Sequence, residues 1–377
     1  MNSEESAIMT QEQRTEKSSY DYLSEISATY LNNRFDQTSK SEVLYFSNEV
    51  DWAEILVLAR RHGIRPILLK ATEHTEVPKT YRDLLVNQCR KIIMSNFNLL
   101  REKNKIADYL IKQQLKHEHL KGVTLAIRAF DDIGMREMSD IDILLHPDDI
   151  ESVGQFLMSR GYQAETQIPK KWMWWYMYNN CEYNYDYYKN EHRKFHVEPH
   201  WFLGTRVLQM NIGLSDLYKY WNPEDGKLPP ELLLITVCAH HGTDMCHRLK
   251  YVVDIYAIIA KYKDVIDWDH LLHISRDLKM GNIVLLCIDQ VIEEFHIDLP
   301  NRIQELIKLK ISRRLSSDIM SQRAQYMPSQ KKLGYHFKRF RFHLRVRERV
   351  STKLKVLCNI FIFYVMFRLF IPKPISL

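Results

Sequence analysis

Residues 120–145 read LKGVTLAIRAFDDIGMREMSDIDILL, and the last third of this stretch carries two aspartates, Asp140 and Asp142, one residue apart. In an extended strand successive side chains point to opposite faces, so the two carboxylates project together while Ile141 and Ile143 project the other way. Ile141, Ile143, Leu144 and Leu145 supply an apolar far face, which places the acidic pair on a stiff support. Paired carboxylates of this kind suit Mg²⁺, a hard cation that takes carboxylate and phosphate oxygens. Shared carboxylates can hold two such ions roughly 4 Å apart.

A D-x-D alone also describes a strand that ends in two solvated acids, but the residues before it favour a site. Lys121-Gly122 precedes a helix-compatible stretch, Val123 to Asp132. A glycine there lets a phosphate approach the N–H groups of the helix N-terminus. Gly134 breaks the helix, and Arg136 stands four residues before Asp140, where a planar cation could meet a polyphosphate. The predicted order is strand, glycine turn, helix, turn, acidic strand.

This order and these residues resemble the nucleotidyltransferase superfamily that includes DNA polymerase β. They resemble most closely the bacterial family labelled uncharacterised nucleotidyltransferase, whose pattern runs L-K-G, L-A, then R-x-M-S-D-I-D-h-L. Here the matching residues are Leu120-Lys121-Gly122, Leu125-Ala126 and Arg136-Glu137-Met138-Ser139-Asp140-Ile141-Asp142-Ile143-Leu144. Weaker echoes are Asp51-Trp52, Ala59 to Gly63, and the family's V-D-h-H-W, which reads here Val197-Glu198-Pro199-His200-Trp201. The strand expected before Lys121 departs from the family, since Leu115 to Leu120 reads LKHEHL.

The resemblance implies an α+β fold, a small mixed or antiparallel sheet flanked by helices, with an additional helical lobe. It implies NMP transfer from an NTP donor to an acceptor (small molecule, sugar, peptide or RNA), with pyrophosphate released. Asp140, Asp142 and Glu198 are the expected catalytic and metal-binding residues, with two Mg²⁺ ions and Mn²⁺ as an alternative. Lys121, Gly122, Thr124 and Arg136 are the expected nucleotide contacts. Glu198 stands where the family has aspartate; strand alternation puts it on one face with His196 and His200. Two rival readings are a catalytically silent nucleotide-binding scaffold attached to a membrane or biosynthetic assembly, and a toxin-like transferase acting on RNA or protein.

The remaining chain divides into five expected segments: 1–41 flexible, 42–115 helical, 116–205 catalytic core, 206–330 helical lobe and 331–377 basic-aromatic tail. Within the first, Tyr20 to Asn33 has helical spacing. Asp51 and Gly63 have the chemistry of helix caps. Apolar spacings of three, four and seven from Tyr81 to Leu115 predict one long helix or two with a bend. Asp149 to Arg160 reads as a helix ending at Gly161, Lys189 to Arg193 as a hairpin loop, and Lys194 to Glu198 as its return strand. The aromatic stretch WMWWYMYNNCEYNYDYY reads as a stacking surface or as ordinary sheet packing.

Composition narrows the setting. Six scattered cysteines without a C-x-x-C pair imply a reducing compartment. The polar N-terminus has no secretory h-region, and no apolar run reaches 18 residues. The expected location is therefore cytoplasmic, peripheral on the inner face of the membrane if the tail binds lipid. Between Lys331 and Lys355 ten Lys and Arg face one acid, Glu348; that +9 leaves −3 for the rest of a chain whose net charge is +6. The basic segment and the apolar run after it, over 331–371, suit either contact with an anionic membrane or packing on the helical lobe. Cys238, His240, His241, Cys246 and His247 lack the paired spacing of structural zinc sites, which leaves His240 and His241 as cleft-facing or helix-packing histidines.

Overall fold

Tyr20, Leu23, Ile26 and Leu31 recur at helical spacing, and α1 (Ser19–Phe35) buries them. The structure, a computed structural model, describes residues 18–35, 50–165, 173, 177, 184–191, 193–205, 208–311, 313–325, 333–347 and 350–370. The helical spacing read from Tyr20 to Asn33 corresponds to this helix. Its apolar face packs against α2 (Trp52–His62) and α3 (Arg65–Ala71), which offsets the entropy of ordering it. Residues 1–17 and 36–49 lie outside the described residues. Asp51 caps α2 by accepting the Glu54 N–H at 3.0 Å, and Gly63 closes it at φ +71°. The expected long helix is one continuous element, α4 (Lys79–Lys112), 34 residues long, with neither Gly nor Pro within it.

The chain then builds β1 (His117–His119), α5 (Gly122–Phe130), β2 (Asp140–Leu145), α6 (Ile150–Ser159), β3 (Gln163–Ala164), β4 (Tyr187–Glu191) and β5 (Arg193–His200). The sheet order is β1-β2-β5-β4-β3, with β2 and β5 parallel and the other pairs antiparallel. The fold is α+β with a mixed sheet. Despite its polar sequence β1 still pairs, over three residues only. Residues 189–191 and 193, read above as a loop, belong to the strands: Lys189 pairs with Phe195, Asn190 with Lys194 and Glu191 with Arg193. Main-chain pairing needs no apolar side chain, so polarity alone misplaces the end of a hairpin.

One face of the sheet is closed by apolar packing. Ile141, Ile143, Leu145 and Val197 form a buried cluster with Leu99, Ile106 and Leu110 of α4 and Val153 and Leu157 of α6. Tyr185 and Tyr187 join this cluster, so the described tyrosines of the aromatic stretch at those two positions serve sheet packing. Most of WMWWYMY lies outside the described residues.

A second cluster fills the helical part, made of α7 (Leu214–Leu217), α8 (Pro230–Thr243), α9 (Leu249–Tyr262), α10 (Trp268–Asp277), α11 (Gly281–Phe295), α12 (Asn301–Lys310) and α13 (Arg313–Ala324). The basic segment splits in two. In α14 (Leu333–Val346) Phe342 and Val346 are buried, and Arg339 Nε donates to the Thr243 carbonyl at 2.9 Å, a cation at the C-terminus of α8. The following helix, α15 (Val350–Phe370), leaves Val350, Leu354, Leu357 and Phe361 exposed. Among the described residues no helix is long and apolar enough to cross a membrane.

Candidate active site

The parallel register of β2 and β5 assembles the site. Asp140 lies opposite His196, Asp142 opposite Glu198 and Leu144 opposite His200, so two carboxylates from one strand and a third from its neighbour share one face. Two histidines complete that face. Ligand atoms of Asp140, His196 and Glu198 lie within 4.8 Å of one another, as do those of Asp142, Glu198 and His200. The two groups overlap at Glu198.

Hydrogen bonds hold the acids in place. His200 Nε2 is 2.9 Å from Asp142 Oδ1 and 3.4 Å from Glu198 Oε2. His196 bridges Glu198, at 3.4 Å from Nδ1, and Asp186, at 2.8 Å from Nε2. Asn184 Nδ2 donates to Glu198 Oε2 at 2.8 Å. Lys121 Nζ sits 2.8 Å from Asp142 Oδ1 and 3.2 Å from His240 Nδ1. Burial opposes ionisation of Asp142, but Lys121 and the His200 hydrogen bond outweigh it and hold the carboxyl well below its usual range. Burial likewise opposes the Lys121 charge, and Asp142, Asp140 and Glu198 more than offset it, raising the ammonium above its usual range. His240 is pushed well below the usual imidazole range by burial and by Lys121, so it stands neutral beside the lysine.

The turn into α5 is built around Gly122. Its φ is +58°, and an added Cβ would meet the Asp140 carbonyl oxygen at 3.3 Å, so a side chain there is both strained and crowded. Lys121, at the N-cap of α5, makes no side-chain capping hydrogen bond. Thr124, on the first turn of this helix, has a buried Oγ1 without a hydrogen-bond partner among the described residues. These groups border a small cleft together with Lys121, Asp140, Asp142 and Lys103 of α4.

Arg136 does not border this cleft but lies within the field of Asp140 and Asp142. Its guanidinium is buried and makes two hydrogen bonds to Asp254 of α9, at 2.9 and 3.0 Å, and His241 Nε2 lies 3.3 Å from the same carboxylate. Asn96 of α4 donates to the Arg136 and Ile133 carbonyls, at 2.9 and 2.7 Å, fixing the turn before β2 from the other side. His240 contacts Lys121, and His241 packs between Asp254 and Tyr251, whose ring it stacks on at 4.2 Å. Cys246 lies beside Cys287, Sγ to Sγ 3.4 Å, and no metal-competent cluster among the described residues includes a cysteine.

Residues that the sequence reading passed over are Lys103, Asn184, Asp186 and Asp254; His196 and His200 were noted only as neighbours of Glu198. The strand alternation around Glu198 pointed to both histidines. Nothing local to Lys103 pointed to the site, since α4 brings it there.

The donor set fits divalent cations. The second oxygen of Asp142, Oδ2, is buried and has no hydrogen-bond partner among the described residues, although the carboxyl is held toward its ionised form. Such an atom is costly unless a cation or donor meets it. Carboxylate oxygens are the ligands that Mg²⁺ and Mn²⁺ take, and the two imidazoles also suit Mn²⁺.

No curated protein and no solved structure matches this chain. A family model described as uncharacterised nucleotidyltransferase does match, over residues 48–295, a span that contains the glycine turn, the three acids and the helices α8 to α11. That span is about two thirds of the 377 residues, and the chain belongs to this nucleotidyltransferase family.

Proposed function

We propose that the protein transfers a nucleoside monophosphate from an NTP to an acceptor hydroxyl, phosphate or amine, releasing pyrophosphate, with divalent cations held by Asp140, Asp142 and Glu198. The observation that carries this reading is the β2–β5 register, which sets Glu198 directly across from Asp142 on the face that also holds Asp140. Bound there, two Mg²⁺ or Mn²⁺ ions would neutralise triphosphate charge and lower the pKa of the acceptor. Lys121 and His200 hold Asp142 ionised and oriented. His196 and Asn184 do the same for Glu198. Gly122 lets the donor phosphates approach the uncapped N–H groups of α5, with Thr124 Oγ1 as a further donor. Arg136 acts by positioning: its pair with Asp254 anchors the start of β2 on α9. Little covalent chemistry falls to the protein in such a transfer; alignment and charge stabilisation do most of it.

Pyrophosphate release from an NTP mixture, tested with and without Mg²⁺ and with lysate as a source of acceptor, checks the reading. Metal-dependent release is expected. Its absence in every NTP, with Mn²⁺ as well, would favour the silent scaffold.

We place a contact with an anionic membrane on α15. Val350, Leu354, Leu357 and Phe361 recur at spacings of four, three and four, a single exposed apolar stripe with Lys353 and Lys355 between its members. Cations beside such a stripe suit an interfacial helix on anionic lipid. Flotation with vesicles of phosphatidylserine and phosphatidylcholine should recover the protein at low salt and lose it at high salt. Equal behaviour of a Leu354→Ser/Phe361→Ser variant would dispose of the assignment.

A further inference from the structure

Two lysines border the cleft at the N-terminus of α5, and their situations differ. Lys121 is committed: it lies 2.8 Å from Asp142 and against His240, and it serves the acid rather than an incoming anion. Lys103, on α4, is half-buried and makes no hydrogen bond or ion pair among the described residues. Lys105, two residues further along the same helix, has its charge matched by Glu102 at 2.8 Å. The acid whose field reaches Lys103 is Glu118 on β1, with no hydrogen bond between them. Burial pushes the Glu118 carboxyl up to about 7, so near neutrality it is only partly charged.

A partly desolvated ammonium with no ion pair is unfavourable, and burial pulls Lys103 below its usual range although Glu118 opposes it. The cleft it borders holds other donors that lack acceptors. Among the described residues Thr124 Oγ1 is buried without a partner, and the N-cap Lys121 makes no side-chain capping hydrogen bond to the first turn of α5. Asp140 and Asp142 line the same cleft, and among the described residues the buried Asp142 Oδ2 is also unmatched. Unmatched donors and an unmatched acceptor oxygen lining one cleft describe the complement of a phosphate chain that carries its own cation.

We propose that Lys103 binds the terminal phosphates of the donor nucleotide, so that the triphosphate lies between α4 and the first turn of α5 while Lys121 stays with Asp142 as a positioning residue. The proposal rests on the nucleotidyl transfer reading and adds to it the group that holds the leaving pyrophosphate. A long helix suits this role. Leu99, Ile106 and Leu110 anchor α4 in the core beneath the sheet, so the lysine between them is presented from a rigid support.

The test uses the full chain, with tripolyphosphate and Mg²⁺ as the probe and calorimetric titration as the readout. Lys103→Gln should weaken tripolyphosphate binding about tenfold or more, the loss expected for one charge-assisted hydrogen bond. Lys103→Arg should recover most of it, and thermal midpoints of the ligand-free variants should match the wild type. A Lys103→Gln protein that binds tripolyphosphate as tightly as the wild type would overturn the assignment, as would a wild type that does not bind it. If Lys103→Gln binds normally while NTP turnover persists, Lys103 is excluded and the transferase reading stands. If binding depends on Lys103 but no NTP is turned over, the anion site stands and the transferase reading falls.

Discussion

Glu198→Gln is expected to lower Mg²⁺-dependent turnover about 10²- to 10³-fold and to leave the fold in place. The exchange keeps the shape of the side chain and an oxygen to accept the 2.8 Å hydrogen bond from Asn184, but removes the charge that both potential ligand groups share. Lost cation stabilisation of several kcal/mol corresponds to that factor in rate. Stability should not fall, because removing one of three clustered carboxylates also removes repulsion between them. Steady-state pyrophosphate release and a thermal melt, read side by side, check both halves. Full activity would take Glu198 out of the site. Asp142→Asn should match the loss of turnover but also lower the midpoint, since it leaves Lys121 and His200 buried beside a neutral amide.

The largest effect on stability is expected at the pair that lies behind the site. Arg136 and Asp254 are both buried, and their two hydrogen bonds join the turn before β2 to α9. Removing one member strands the other charge in the interior, which costs about 3–5 kcal/mol. Asp254→Asn and Arg136→Met should therefore each shift the urea midpoint strongly, whereas the double replacement Arg136→Met/Asp254→Leu should recover much of the loss. A single variant with an unchanged midpoint would mean that the pair contributes nothing to holding β2. Turnover should fall in the single variants as well, because Asp140 begins four residues after Arg136 and its position depends on where that turn is held.

The contrast between Arg136 and Lys103 marks where local reading ends. From residue type and its distance to the acidic pair, Arg136 suits a polyphosphate; its counter-charge is 118 residues away and leaves no trace nearby. Lys103 is the converse case. In the sequence it is one polar residue on a long amphipathic helix, indistinguishable from Lys105, and only the docking of α4 beneath the sheet separates the two. The loop assigned to residues 189–193 fails for a different reason: strand pairing is a main-chain interaction, and polar side chains do not forbid it.

What the chain alone made legible is what short-range geometry dictates. A period of two puts Asp140 and Asp142 on one face and Glu198 with its histidines on another strand's face. A glycine at 122 permits φ of +58°, and Asp51 and Gly63 bound a helix because side-chain capping and left-handed backbone are local events. Long-range packing was needed to set β2 and β5 parallel with Asp142 across from Glu198, to give Arg136 to Asp254, and to back Lys121 with His240. Those pairings join residues 56 to 119 positions apart. Periodicity tells each segment which side to bury, but not which partner it meets; that choice is made by the burial of both apolar clusters at once.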